Sequence, residues 1–149
     1  MKIALVDDHT LFRTGLAGLL SQHDGFEVVA DVGSGEEFLV MLPSLDVDVV
    51  FMDIAMPTLS GDKATALALE RNPQLKIICL SMFGDENYYS RMVEAGAKGF
   101  LMKDSSMEEV FAAIEAVMSG EEYFCQAVMQ SISNAQSEHL YGVARLLLR

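Results

Sequence analysis

Cysteine is scarce in this sequence, with Cys79 and Cys125 the only two among 149 residues. Two cysteines provide neither a disulfide framework nor a multi-cysteine metal site, so we expect a reducing compartment. Residues 1–7 lack the pattern of a signal peptide, and no apolar run approaches the roughly 20 residues that span a membrane. The sequence therefore predicts a cytoplasmic protein without membrane contacts.

Basic residues are scarce as well, since 10 lysines and arginines stand against 22 aspartates and glutamates, for a net charge of −12. So acidic a body repels phosphate backbones and anionic membranes, which argues against direct nucleic-acid binding by this chain. It suits a magnesium ion or a basic partner surface instead. With 51% apolar and 21% charged residues, the chain has a globular composition and a length that suits one main domain.

Prolines are few, but all three mark element boundaries at Pro43, Pro57 and Pro73. Apolar runs predict strands at 3–6, 26–32, 47–53, 76–81 and 98–102. Helical apolar stripes predict helices from 10 to 22, from 34 to just before Pro43, from 59 to about 72, from 86 to 95 and from about 106 to 119, with Thr10 and Ser105 or Ser106 as N-caps. Five alternations of strand and helix predict an α/β fold, a parallel sheet with helices on both faces. No sixth repeat of the alternation is predicted after residue 120.

Polar side chains stand where four of the predicted strands end: Asp7 and Asp8, Asp53, Ser81, and Lys103. Each alone has an ordinary interpretation, as helix-start acidity, a turn aspartate, a strand-end hydroxyl or a surface lysine. Because the carboxyl ends of parallel strands meet at one edge of a sheet, we expect all five to converge there.

Three carboxylates in one place repel one another, and a magnesium ion is the usual remedy. A carboxylate beside such an ion, an ammonium group and a hydroxyl can accept a phosphoryl group, because the three neutralise its equatorial oxygens. We therefore assign Asp53 as the nucleophile and Asp7 and Asp8 as metal ligands. Lys103 pairs with the phosphoryl oxygens, and Ser81 donates a hydrogen bond to one of them.

At these residues the sequence resembles the receiver domain of bacterial two-component response regulators, over about residues 1–120. The resemblance rests on Asp7-Asp8, on Asp53-Ile54-Ala55-Met56-Pro57 with Gly61 eight residues after Asp53, on Ser81, and on Phe100-Leu101-Met102-Lys103. The opening residues 7–13 look most like the subgroup whose output is a LuxR-type helix-turn-helix.

The resemblance implies a flavodoxin-like, doubly wound sheet of five strands in the order 2-1-3-4-5, an order that receiver proteins exemplify. It implies phosphorylation of Asp53 by a sensor histidine kinase with Mg²⁺, and it adds the backbone carbonyl of Ala55 as a metal ligand. It also implies that Ser81 moves toward the phosphoryl group while Phe100 rotates inward. These movements change the surface formed by helix 4, strand 5 and helix 5.

Two departures from the family pattern bear on the lifetime of the phosphorylated form. Met82 is bulky where a small residue is usual, and neither Ala55 nor Phe83 has a polar side chain that could orient an attacking water. We therefore predict slow loss of the phosphoryl group. His9 is interpreted as a solvent-facing loop residue, neither ligand nor base.

Residues 121–149 are interpreted as a linker or helical extension, because no basic recognition helix follows the receiver part. The chain is then the receiver part of a transcriptional response regulator, whose DNA contacts lie in a missing C-terminal domain. Alternatively, it is a stand-alone receiver that acts through protein contacts. The apolar run at 143–148 suits a packing arm or a homodimer contact.

Three rival functions fit the residues less well. A magnesium-dependent aspartyl phosphatase or dehalogenase resembles a different pattern, with the nucleophile after strand 1 and a second acid two residues later, where this chain has Ala55 after Asp53. A flavin module would need a phosphate loop that Asp7 and Asp8 would repel. A degenerate receiver that binds partners without phosphorylation is disfavoured by the retained site. We therefore expect no enzyme beyond phosphoryl transfer and self-dephosphorylation.

Overall fold

The computed structural model describes residues 1–82, 85–126 and 128–130. The strands are β1 Lys2–Val6, β2 Glu27–Val32, β3 Val49–Asp53, β4 Lys76–Ser81, β5 Gly99–Met102 and β6 Tyr123–Phe124. The α-helices are α1 Thr10–Ser21, α2 Gly35–Met41, α3 Gly61–Arg71, α4 Tyr89–Ala95 and α5 Met107–Met118. Single 3₁₀ turns, Leu42–Ser44 and Glu86–Tyr88, follow α2 and precede α4.

The strands form one parallel sheet in the order β2-β1-β3-β4-β5-β6. The predicted order of the first five strands is confirmed. The expectation that the alternation stops at residue 120 was wrong, because β6 pairs with β5 through Gly99 opposite Tyr123 and Phe100 opposite Phe124. A two-residue strand is too short to show a period of its own, which explains why the pattern missed it.

Two apolar layers cover the two faces of the sheet, as expected for strands buried on both sides. Successive residues of β3 alternate between them: Val50 and Met52 pack with α2, α3 and α4, whereas Val49 and Phe51 pack with α1 and α5. All five residues of β3 are buried. The central strand therefore carries Asp53 out of a rigid apolar core.

Capping residues mark two helix starts and one helix end. The Ser34 and Ser106 hydroxyls accept hydrogen bonds from the backbone N–H of Glu37 and Glu109, each at 3.2 Å. Thr10 is not an N-cap as predicted: it is the first helical residue, and His9 precedes it without a side-chain cap. Gly96 ends α4 at φ 109°, where a side chain would be strained.

The described residues after β6 lie against the body of the protein. Cys125 and Val128 are buried in the layer that contains α2, α3 and α4, and Cys79 and Cys125 are both free thiols. The domain boundary placed at residue 120 stays a prediction. The helices and the apolar run predicted within 131–149 lie outside the described residues. In the described part of the chain, no helix has the length and apolarity to cross a membrane.

Gly61 lets the start of α3 pass close to the end of β3. A Cβ atom at this position would lie 2.1 Å from the carbonyl oxygen of Asp53 and 2.9 Å from the Cα of Ile54. The Gly61 N–H donates a hydrogen bond to the Ile54 carbonyl at 3.0 Å. Both neighbours are backbone atoms, so no side-chain movement can relieve the clash.

Gly61→Ala should lower the free energy of unfolding by about 2 kcal/mol or more, because the added methyl group forces two backbone segments apart. Gly18→Ala is the matched control. Gly18 lies within α1 with no heavy atom within 4 Å of its added Cβ, and the change should stabilise the protein by up to about 1 kcal/mol. Urea unfolding of the three proteins measures both effects, and equal stability of Gly61→Ala and wild type would contradict the close approach.

Candidate functional site

Three strand ends deliver charged side chains to one pocket at the carboxyl edge of the sheet. Asp7 follows β1, Asp53 ends β3, and Lys103 follows β5. The Lys103 Nζ lies 2.9 Å from the Asp7 Oδ2 and 3.5 Å from the Asp53 Oδ1. The two carboxylates are almost fully buried, and the lysine side chain is only 9% exposed. The structure thus brings Asp7, Asp53 and Lys103 together, as predicted.

Asp8 and His9 complete the pocket. Ligand atoms of Asp7, Asp8, His9 and Asp53 all lie within 4.8 Å of one another. The His9 Nδ1 is 3.2 Å from an Asp7 oxygen, 3.6 Å from an Asp8 oxygen and 3.8 Å from the Asp53 Oδ2. His9 is half exposed, but its ring turns into the pocket. The half-exposed side chain agrees with the interpretation of His9 as a solvent-facing residue. Its contacts with the three acids were missed, and its having no ligand role stays a prediction.

Lys103 is held in the pocket from several sides. Besides its contacts with the two aspartates, its Nζ lies 2.6 Å from the His9 Nδ1 and 5.1 Å above the ring of Phe12. An ammonium group only donates, so at this distance the His9 nitrogen accepts. The aliphatic stem is buried, and the charged end remains among acids.

Burial raises the pKa of Asp53 from 3.8 to about 8, helped by the negative charge of Asp7 and a hydrogen bond with Asp8, while the positive charge of Lys103 acts against the rise. The Asp53 Oδ2 is buried and accepts no hydrogen bond from the described residues. A crowded carboxylate with an unpartnered oxygen suits a hard divalent cation, which would relieve both conditions at once. The donor set, mostly carboxylate oxygens, fits Mg²⁺.

Ser81 lies beside this pocket, but its hydroxyl faces another group. The Ser81 Oγ donates to the Tyr89 hydroxyl at 3.3 Å and contacts the Met102 Sδ at 3.2 Å. Tyr89 begins α4, and its ring lies nearly perpendicular to that of Phe100, with 6.2 Å between the ring centroids. The residue was not singled out from the sequence, because an aromatic at the start of a helix carries no distinguishing signal.

Phe100 is completely buried between two aromatic rings, Tyr89 on one side and Phe124 of β6 at 5.1 Å on the other. The ring is therefore inward in this structure, and its predicted rotation stays a prediction. Ala55 lies exposed in the loop between β3 and α3. The role of its carbonyl as a metal ligand also stays a prediction.

Arg13 ties the loop that carries Asp7 and Asp8 to the neighbouring strand. One guanidinium nitrogen donates to the Asp7 carbonyl at 2.5 Å, and Nε donates to the Asp31 carboxylate near the end of β2. Its side chain is 15% exposed. No role was predicted for Arg13 from the sequence. Its position, a basic residue one turn into the helix that follows two acids, is the one signal for a contact with the loop that carries those acids.

The sequence is similar to those of known proteins. The family model described as response regulator receiver domain matches residues 3–115. The response regulator GacA of Pseudomonas syringae pv. syringae (strain B728a) is 35% identical over 133 residues, which is 89% of this chain and 62% of that protein. The oxygen regulatory protein NreC of Staphylococcus epidermidis (strain ATCC 12228 / FDA PCI 1200) is 37% identical over 135 residues, 90% of this chain and 62% of that protein.

A solved structure shares the fold along nearly its whole length. The two-component response regulator of the LuxR family from Aurantimonas sp. SI85-9A1 superimposes with a TM-score of 0.83 at 29% identity, covering 91% of this chain and 97% of that one. The chain thus spans 62% of the length of the two relatives named above, and nearly all of this structure.

Asp53→Asn should stabilise the metal-free protein, and the gain should grow as pH rises. Because the folded pKa of about 8 lies above the ordinary 3.8, the stability that the protonated carboxyl confers is full below the lower value and is lost as pH rises toward the upper one. Asparagine avoids that loss. Between pH 5 and pH 8 the difference should be on the order of a few kcal/mol, measured by urea unfolding with a chelator present.

The matched control is Asp46→Asn, since the Asp46 side chain is 81% exposed. Its effect on stability should not depend on pH in this way. A gain for Asp53→Asn that is equal at both pH values would contradict the raised pKa.

Proposed function

Because the chain belongs to the response regulator receiver domain family, we propose that it is a phosphorylation-dependent switch in which Asp53 accepts a phosphoryl group from a sensor histidine kinase. The observation that carries the proposal is the pocket itself. A buried carboxylate with an unpartnered oxygen lies 3.5 Å from the ammonium group of Lys103 and beside two further acids.

In the proposed transfer, an Asp53 oxygen attacks the phosphorus of the kinase's phosphohistidine. The phosphorus–nitrogen bond breaks, and the electron pair stays on the imidazole, which takes a proton from solvent. Asp7, Asp8 and Asp53, with the Ala55 carbonyl, would hold Mg²⁺, which when bound supplies positive charge beside the phosphoryl oxygens. Lys103 pairs with a phosphoryl oxygen instead of Asp7, and so it compensates the added negative charge.

Ser81 and Phe100 supply the proposed readout. When the Ser81 hydroxyl turns to a phosphoryl oxygen, it gives up its hydrogen bond to Tyr89 at the start of α4. Tyr89 packs on Phe100, so a change at Ser81 reaches the surface formed by α4, β5 and α5. A modification at Asp53 thereby alters a surface that a partner can recognise.

The output is proposed by analogy with the relatives. One is named a response regulator, and the solved structure is a LuxR-family response regulator, so we assign this chain to the receiver part of a transcriptional regulator. DNA contacts then belong to another domain, since a net charge of −12 disfavours phosphate backbones. The alternative is a receiver that acts alone through protein contacts, and a homodimer is compatible with either.

Incubation with Mg²⁺ and acetyl phosphate should add one phosphoryl group to the wild-type protein, as measured by intact mass. Asp53→Ala should gain none, because the accepting oxygen is gone. Asp46→Ala, which removes an exposed aspartate, should label like wild type. Equal labelling of wild type and Asp53→Ala would refute the assignment.

The phosphorylated protein should lose its phosphoryl group slowly, because the exposed Ala55 has no polar side-chain atom with which to position a water. Ala55→Asn should speed the loss by roughly tenfold, which is less than the roughly 10²- to 10⁴-fold that a positioned general acid or base contributes, because an amide can orient a water but does not take its proton. The measurement is the decay of the phosphorylated mass after removal of acetyl phosphate, with Ala55→Val as a control of similar bulk. Rapid decay of the wild type would contradict the prediction.

A further inference from the structure

We propose that His9 is a nitrogen ligand of the divalent cation in the acidic pocket, so that the site binds Mn²⁺ or Co²⁺ in preference to Mg²⁺. The inference rests on the metal site of the proposed function and adds a ligand to it. It predicts which class of cation the pocket selects, first-row transition metals with affinity for imidazole.

The spacing of the donor atoms supports one shared ion. An octahedral cation with bonds of about 2.1 Å places neighbouring ligand atoms about 3.0 Å apart and opposite ones about 4.2 Å apart. The His9 Nδ1 lies 3.2, 3.6 and 3.8 Å from oxygens of Asp7, Asp8 and Asp53. All three separations fall between those limits.

A second observation points to a missing ligand. The Asp53 Oδ2, the oxygen nearest to the His9 Nδ1 in that carboxylate, is buried and accepts no hydrogen bond from the described residues. Such an atom is costly unless something binds it. A cation between this oxygen and the imidazole would satisfy it.

His9 is also held in place and carries the required lone pair. Its backbone N–H donates to the Asp7 Oδ1 at 2.8 Å, which fixes the residue beside the first acid. The Nδ1 lies 2.6 Å from the Lys103 ammonium, so the nitrogen presents its lone pair to a positive charge. A metal ion is a stronger partner for that lone pair than an ammonium group.

The metal ion and the Lys103 ammonium group therefore compete for the His9 Nδ1. Metal binding would in this way change the position of the ammonium group. An ion bound by His9 displaces the Lys103 Nζ from the imidazole. Lys103 then stays close to Asp53, 3.5 Å from its Oδ1. Displacement would leave the ammonium group available to a phosphoryl oxygen on Asp53.

The test uses the metal alone, without a phosphodonor. Pulsed electron paramagnetic resonance of the Mn²⁺-loaded wild-type protein should show ¹⁴N coupling from a bound imidazole, and His9→Ala should lack it. By calorimetry, the ratio of Co²⁺ to Mg²⁺ affinity should fall at least about tenfold in His9→Ala, since even outer-shell changes commonly cost that much.

His23→Ala is the matched control. The His23 ring stacks on Phe26 and is tilted against Phe111, beyond the far end of α1 from the pocket, so its loss should change neither measurement. Absence of ¹⁴N coupling in wild type, or an unchanged affinity ratio in His9→Ala, would overturn the inference. Labelling of Asp53 by acetyl phosphate would stand in that case. Conversely, ¹⁴N coupling without any labelling would refute the proposed function and leave the His9 ligand intact.

Discussion

The structure depends on the electrostatic balance among Asp7, Asp53 and Lys103. Two almost fully buried carboxylates share one ammonium group within 3.5 Å, and Asp53 still has a pKa raised to about 8. One positive charge is thus insufficient for the acids around it. The apolar layers hold the pocket in place, and its charge is not fully compensated, a condition that is typical of functional sites.

That shortage of positive charge explains why both a cation and a phosphoryl group suit the same place. A cation would compensate the carboxylates, and the Lys103 ammonium group could then pair with an incoming anion. Arg13 stays outside this charge balance, because it binds the Asp7 carbonyl and not its carboxylate. It orders the loop without neutralising the acids that the chemistry needs.

The strands and the main site residues could be predicted because they follow from local pattern and topology. Val49 to Met52 form an apolar run that ends in Asp53, and parallel strands must end at one edge. His9, Arg13 and Tyr89 could not be predicted in this way. Their contacts depend on side-chain direction, which no periodicity records, and in the case of His9 and Lys103 they join residues 94 positions apart. Strand β6 was not predicted because two residues are too few to show a periodic pattern.

The pairing of β6 with β5 has a mechanical consequence. The Tyr123 and Cys125 N–H groups donate to the carbonyls of Lys98 and Phe100, and the Phe124 ring packs on that of Phe100. The backbone that leaves α5 is therefore tethered to the strand that bears the buried aromatic ring. A displacement of the Phe100 ring would therefore move two neighbours: α4, through Tyr89, and β6, through Phe124. Movement of β6 would be passed along the backbone to the residues that follow it.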